Sequence, residues 1–224
     1  MIVRLYLLFQ EQPQRYKKYF NGPAKSVSLP PYLFFMDMSI LLERHPTLFL
    51  DRDGVINEQI VGGYVMDFND FRFKEGVFEA LRALRGYFSR ILLVTNQQCV
   101  GKGLCTMADI DRVHEQMQEE LRRQDCAIDR IYCCPHLASD QCACRKPLPG
   151  MAEQAFLDFP DIDRSHSVMA GDTLSDMLFA QNAGLIPVHV GAKRELEFDE
   201  IQEITPYHFD TLLDFANQIQ TSGL

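Results

Sequence analysis

No apolar run in this chain of 224 residues is long enough to span a bilayer, so an integral membrane protein is not expected. An excess of basic residues is missing too. The formal net charge is −9, which speaks against a nucleic-acid partner but leaves room for a phosphate held by a local cluster of cations. A secretory signal is not expected: residues 1–9 are apolar but short, no small-residue cleavage site follows, and residues 10–18 are polar. There is no internal repeat and no low-complexity tract. A disulfide framework is also not expected, because the seven cysteines are an odd number. Three of them, Cys134, Cys142 and Cys144, crowd with His136 into one short stretch, which points to a bound metal in a reducing compartment. The expectation is a cytoplasmic protein, acting as a monomer, with no nucleic acid and no membrane as partner.

Residues 1–44 differ from the rest. They contain Pro13, Pro23, Pro30 and Pro31 and show no clean period. They are expected to be an N-terminal extension, either poorly ordered or preceding a true start at Met36 or Met38. Residues 45–224 are expected to form the working domain. From Leu48 onward, short apolar runs alternate with helix-like stretches. The runs at 48–50, 91–94, 131–133, 167–170 and 187–190 each end in turn chemistry, as do strands buried on both faces. The stretches at 77–87, 107–123, 151–157, 174–183 and 211–219 carry helical spacing. Thr106 is placed to cap the second, and Gly184 to stop the fourth. This alternation predicts an α/β fold: a mainly parallel sheet with helices on both faces. The acidic run 195–203 reads as a solvated face. Phe68, Phe71 and Phe73 are expected to cover the first rim loop. About twenty residues separate Gly54 from the first helix, too few for a large cap domain.

In such folds ligands gather at the carboxyl ends of the strands, and the polar residues of interest fall there. Asp51 and Asp53 follow the first run at i and i+2, a spacing that turns both carboxylates to one side of an extended segment. One can attack while the other holds a proton for a leaving oxygen. Gly54 lets the chain turn away. Two carboxylates facing a phosphate repel it unless Mg²⁺ intervenes, and Asp51 and Asp172 are side-chain ligand candidates with the main-chain oxygen of Asp53. Thr95 offers a hydroxyl to a phosphoryl oxygen, and Lys146 a point charge. Cys134, His136, Cys142 and Cys144 make a closed set of four ligands, the form of a structural zinc. A zinc-stapled loop there would fix Arg145 and Lys146, which follow it directly. Cys99, Cys105 and Cys126 read as ordinary small apolar side chains and Cys133 as a buried strand residue, with a reactive thiol beside the Thr95-Asn96 loop as the alternative for Cys99. His45, His114, His166, His189 and His208 lack ligand-spaced partners and read as surface or core residues.

Four segments together resemble the motifs of the haloacid dehalogenase (HAD) superfamily: Asp51-Arg52-Asp53-Gly54, Thr95-Asn96-Gln97, Arg145-Lys146-Pro147 and Gly171-Asp172-x-x-x-Asp176. The resemblance spans roughly residues 48–191 and implies a Rossmann-like HAD fold and a phosphatase. It implies an aspartyl-phosphate intermediate on Asp51, acid/base work by Asp53, a phosphate contact from Thr95 and charge stabilisation by Lys146. It also implies magnesium at Asp51, Asp53 and Asp172, with Asp176 in a supporting position. The cysteine loop joined to Arg145-Lys146-Pro147 is similar to that of bacterial D-glycero-D-manno-heptose-1,7-bisphosphate 7-phosphatases and of histidinol-phosphate phosphatases. Gly62-Gly63-Tyr64-Val65 and Pro147-Leu148-Pro149-Gly150-Met151 resemble the heptose branch, whose enzymes serve lipopolysaccharide and nucleotide-activated heptose synthesis. Lys102 stands where that branch usually has arginine, and Thr173 where it usually has lysine. A small phosphorylated metabolite is the implied partner. Arg52, Gly63, Tyr64, Asn96, Lys102 and Arg145 are the expected substrate contacts. The competing expectations are a histidinol-phosphate phosphatase and a zinc-stapled binding module without catalysis.

Overall fold

The computed structural model describes residues 46–192 and 195–222. The expectations for residues 1–44, for a start at Met36 or Met38 and for His45 concern residues outside this set.

Six strands form one sheet: β1 (Thr47–Leu50), β2 (Arg90–Asn96), β3 (Arg130–Cys134), β4 (Val168–Gly171), β5 (Ile186–Val190) and β6 (His208–Phe209). Their order is β3-β2-β1-β4-β5-β6 and every pairing is parallel. Among the described residues seven helices accompany them: α1 (Val77–Arg85), α2 (Gln98–Gly101), α3 (Met107–Arg123), α4 (Gly150–Asp158), α5 (Leu174–Ala183), α6 (Glu195–Ile204) and α7 (Leu212–Ser222). The chain runs outward from β1 to β3, then returns to β4 on the other side of β1.

The period of two along each strand divides the core. Leu48, Leu50, Ile91, Leu93, Val168 and Ala170 face one layer with α1, α3 and α7. Phe49, Leu92, Val94, Tyr132 and Met169 face the other, against Met151 and Phe156 of α4 and Phe179 of α5. Both faces are therefore dry. That is why these strands read as continuous apolar runs rather than alternating ones. Burying each such side chain stabilises the fold by about 1.5–3 kcal/mol before entropy is counted.

The caps expected from sequence are in place. Thr106 Oγ1 accepts from the Asp109 backbone N–H at 3.2 Å, and Asp109 returns a bond to the Thr106 N–H at 2.7 Å. Gly184 ends α5 in the left-handed region. Phe68, Phe71, Phe73 and Phe78 pack ring to ring at 4.7–5.3 Å, linking the first rim loop to α1.

Three elements were not expected. α2 occupies a stretch that reads as a turn. β6 has two residues, too few for a period to show. The acidic run 195–203 lies in a helix, α6, whose Ile201 and Ile204 are buried against Leu174, Met177 and Leu178 of α5. Its character as a solvated face therefore holds for only part of its circumference.

Candidate active site

Parallel strands bring all their carboxyl ends to one rim, and the direction of chain travel reverses between β1 and β4. A crevice opens outside the strand ends at such a reversal. Asp51 lies at the end of β1 and Asp172 at the end of β4. The Asp51 N–H donates to Ala170 O at 3.0 Å, so the ladder holds its backbone.

Asp51, Asp172 and Asp176 are all buried, and each offers a carboxylate oxygen within 4.8 Å of the others. Lys146 is driven into this group. Its Nζ donates to Asp51 Oδ1 at 2.6 Å and to Val94 O at 2.9 Å, and it pairs with Asp176 Oδ1 at 2.6 Å. Two hydrogen bonds and an ion pair thus hold the buried ammonium on three sides. The other oxygen of Asp176 accepts from the Thr173 N–H and hydroxyl at 3.1 and 2.6 Å. One carboxylate thus caps α5 and orients the lysine.

Burial, then the carboxylates of Asp176 and Asp172, push the pKa of Asp51 up to about 8 against the pull of Lys146. Burial alone would lower Lys146, but Asp176 and Asp51 outweigh it and hold the amine above its ordinary value. One ammonium among three carboxylates leaves a surplus of negative charge in a buried place. A divalent cation with oxygen ligands would balance it, so the donor set fits Mg²⁺. Gly54 keeps the place open. It has φ +93°, and a Cβ there would come within 2.2 Å of Asp172 Oδ2.

Asp53 was expected to offer a metal its main-chain oxygen, and its side chain does not join these carboxylates. The Asp53 side chain is turned to other partners: Arg52 Nη2 at 2.9 Å, Asn57 Nδ2 at 3.0 Å and Gln97 Nε2 at 2.8 Å. Asp176 stands beside Asp51 and Asp172, as its supporting position implies. Burial raises the Asp53 pKa, but Arg52 and these hydrogen bonds prevail and hold it below the ordinary carboxylate value.

Two of the expected substrate contacts have partners within the protein. Arg52 is completely buried, and its guanidinium is shared between Asp53 and His114 Nε2, the latter at 3.1 Å. It faces inward because a guanidinium out of water requires partners. Asn96 spends its amide on the Lys146 backbone, accepting from its N–H at 3.1 Å and donating to its C=O at 3.2 Å. Thr95 is buried, with its hydroxyl accepting from Gln97 Nε2 at 2.9 Å. Gly63 is exposed. Lys102 Nζ donates to Tyr64 OH at 2.7 Å, tying two rim loops together. Arg145 reaches His136 O at 3.2 Å and Gln98 Oε1 at 3.5 Å.

The cysteine loop converges as its spacing predicts. Sulfur pairs among Cys134, Cys142 and Cys144 are 3.2–3.6 Å apart, and His136 Nδ1 lies 3.3 and 3.7 Å from Cys144 and Cys134. Tetrahedral zinc with ordinary bond lengths needs separations of about 3.5–3.8 Å, so the set is compatible with zinc. The loop is moored by Gly101 N–H to Pro135 O and by Gly150 N–H to Ala143 O, both at 2.9 Å. Cys99 is fully buried, with its thiol directed to Gln97 Oε1, so an exposed reactive thiol is not found there. Sequence reasoning gave no role to Asn57 or His114. Gln97 was visible only as a motif letter. The Thr173-x-x-Asp176 capping pattern could have signalled that the Asp176 carboxylate turns toward the strand end.

Comparison with known proteins bears on the class and the fold. A family model described as HAD-hydrolase-like matches residues 143–214. That match, together with the relatives that follow, gives the class: a hydrolase of the HAD type. A D-glycero-alpha-D-manno-heptose-1,7-bisphosphate 7-phosphatase of Mycobacterium bovis is 38% identical over 171 residues, covering 75% of this chain and 88% of the relative. The beta-anomer counterpart of Vibrio cholerae is 42% identical over 147 residues, covering 62% of this chain and 77% of the relative. The crystal structure of a D,D-heptose 1,7-bisphosphate phosphatase from B. bronchiseptica, complexed with magnesium and phosphate, aligns with a TM-score of 0.70 at 29% identity, over 79% of this chain and 98% of that one. The chain belongs to the heptose-1,7-bisphosphate 7-phosphatase family.

Proposed function

We propose that this protein removes the 7-phosphate of D-glycero-D-manno-heptose 1,7-bisphosphate, with Asp51 as nucleophile. The observation that carries the reading is the meeting of Asp51, Asp172 and Asp176 around the immobilised Lys146 at the strand-end crevice. Family membership supports the substrate.

An oxygen of Asp51 forms a bond to phosphorus as the P–O7 bond breaks. Asp53 takes up a proton from solvent as the phosphate enters and gives it to the departing O7. At rest its three donors favour the ionised form, and the negative charge of an incoming phosphate pulls the other way. Asp53 then takes a proton from water. That water attacks phosphorus, the P–Oδ bond breaks, and inorganic phosphate leaves. Lys146 holds the Asp51 carboxylate in place and opposes the charge that builds on the phosphoryl oxygens. Thr95 borders the phosphate from the end of β2. Mg²⁺ held by Asp51, Asp172 and the Asp53 main-chain oxygen would screen the repulsion between carboxylate and phosphate. Zinc at Cys134, His136, Cys142 and Cys144 would be structural, since four protein ligands leave no open position.

Tyr64, Lys102 and Arg145 are suited to grip the second phosphate at the rim. Among the described residues no helix is long and apolar enough to cross a membrane. Action as a monomer in a cytoplasmic setting completes the proposal, the setting supported by the metal-spaced cysteine cluster, which suits a reducing compartment.

The test is phosphate release with Mg²⁺ from the alpha and beta anomers of the bisphosphate and from histidinol phosphate. A heptose bisphosphate should have the highest kcat/KM, and Asp51→Asn should remove turnover by at least about 10³-fold. Preference for histidinol phosphate would overturn the substrate. Full activity in Asp51→Asn would overturn the nucleophile.

A further inference from the structure

The residue between the two motif carboxylates has the bulkiest of the fully buried side chains. Arg52 is 0% exposed, and its guanidinium is permanently charged and can only donate hydrogen bonds. It makes two contacts that define a line. Nη2 donates to Asp53 Oδ1 at 2.9 Å, and Nη1 meets His114 Nε2 at 3.1 Å. Since the guanidinium cannot accept, Nε2 must, and the His114 proton then sits on Nδ1. Burial and the Arg52 charge together push the imidazole pKa down to about 3, which keeps it neutral and able to accept.

His114 stands on α3, a helix fixed by its capping box and by Ile110, Val113, Met117 and Leu121 in the core. Without His114, one arm of the guanidinium would face the interior unpaired, and the fork that sets the Asp53 carboxylate would be free to rotate. Asn57 and Gln97 hold the other sides of the same carboxylate. The Arg52 side is the one whose geometry is set from outside the rim loops.

We infer that His114 is a positioning residue: through Arg52, a neutral imidazole on α3 aims the Asp53 carboxylate at the leaving oxygen. The inference rests on the reading of Asp53 as the group that serves the leaving oxygen. His114 also borders an open cavity of about 400 Å³ with Glu115, Gln118 and Cys133, so a replacement side chain leaves no sealed void.

The experiment compares kcat/KM of the full-length, metal-loaded protein for D-glycero-D-manno-heptose 1,7-bisphosphate and for p-nitrophenyl phosphate. The sugar alkoxide departs only with a proton, whereas nitrophenolate departs without one. His114→Leu, which cannot accept, should lose about tenfold or more on the sugar phosphate but less than about threefold on the aryl phosphate. His114→Gln, which offers an amide oxygen to Nη1, should recover most of the loss. An equal fall on both substrates, or no fall, overturns the inference, because a purely structural role would not sort substrates by leaving group. Should His114→Leu not fold, nitrogen NMR of the unaltered protein decides: a proton found on His114 Nε2 overturns the inference, and a bare Nε2 supports it. Asp53→Asn separates the two readings. If it keeps full turnover of the sugar phosphate, the role given to Asp53 fails. If it is inactive while His114→Leu behaves as the parent, only the positioning role fails.

Discussion

At the scale of single residues, the site is a problem of charge held in little space. Lys146 is enclosed by two carboxylates and a carbonyl, Asp176 divides its oxygens between a helix cap and that lysine, and Asp172 lies where one added carbon would strike it. The last point gives a prediction. Gly54→Ala forces a side chain into a left-handed backbone and toward the Asp172 carboxylate. The backbone part should destabilise the fold by about 1 kcal/mol. Activity should fall by about tenfold or more, because displacing a reacting group by an ångström is costly in rate. Thermal melting and phosphate release measure the two parts separately, and an active Gly54→Ala enzyme would contradict the close approach. Most of this site was legible in the sequence, because Asp51, Lys146 and Asp172 each follow a strand and carry chemistry suited to a phosphate. The inward turn of Arg52 was not legible. Its partner His114 lies 62 positions away, and no local spacing announces a contact of that range.

At the scale of elements, five strands and five helices could be located because burial on both faces leaves unbroken apolar runs and each helix keeps one apolar side. α6 escaped because its acidic residues hide two isoleucines, and β6 because pairing, not composition, defines it. Joints between elements depend on side chains that sequence reasoning does not rank. Asp129, just before β3, accepts from the Ile91 N–H of β2 at 2.7 Å and from Arg85 Nη2 of α1 at 2.8 Å. Burial raises its pKa, but Arg85 and the Ile91 N–H prevail and hold the carboxyl below its ordinary 3.8. A folded-state pKa below the unfolded one contributes stability above the unfolded pKa, and that stability is lost as pH falls through the folded value. Asp129→Asn should therefore destabilise the protein by about 1 kcal/mol at pH 7, allowing for the pair's partial exposure. The difference should shrink as pH falls from about 5 toward 3. Melting curves across that range check it, and a gap that widens in acid would refute the account. The cysteine loop is the second such joint. Metal analysis should find one zinc per chain, and Cys142→Ser should lower its retention and the melting temperature together. Full stability without zinc would make the loop self-supporting.

At the scale of the whole molecule, the site belongs to no single stretch of chain. Lys146 meets Asp51 across 95 positions and Asn96 across 50, while Gln97 meets Asp53 across 44. β1 and β4 must lie side by side before Asp51 and Asp172 share a crevice, and β2 must flank β1 before Asn96 can hold the Lys146 peptide. The reacting groups are thus an average over the entire architecture, with no local nucleus of their own. Turnover in this protein is consequently a global quantity, a gauge of how many molecules have closed their whole topology. In graded urea with saturating metal, the fall in activity should overlay the loss of helical signal within experimental scatter. A population that stays active after the sheet has opened would show that the site holds together by a shorter circuit than its geometry requires.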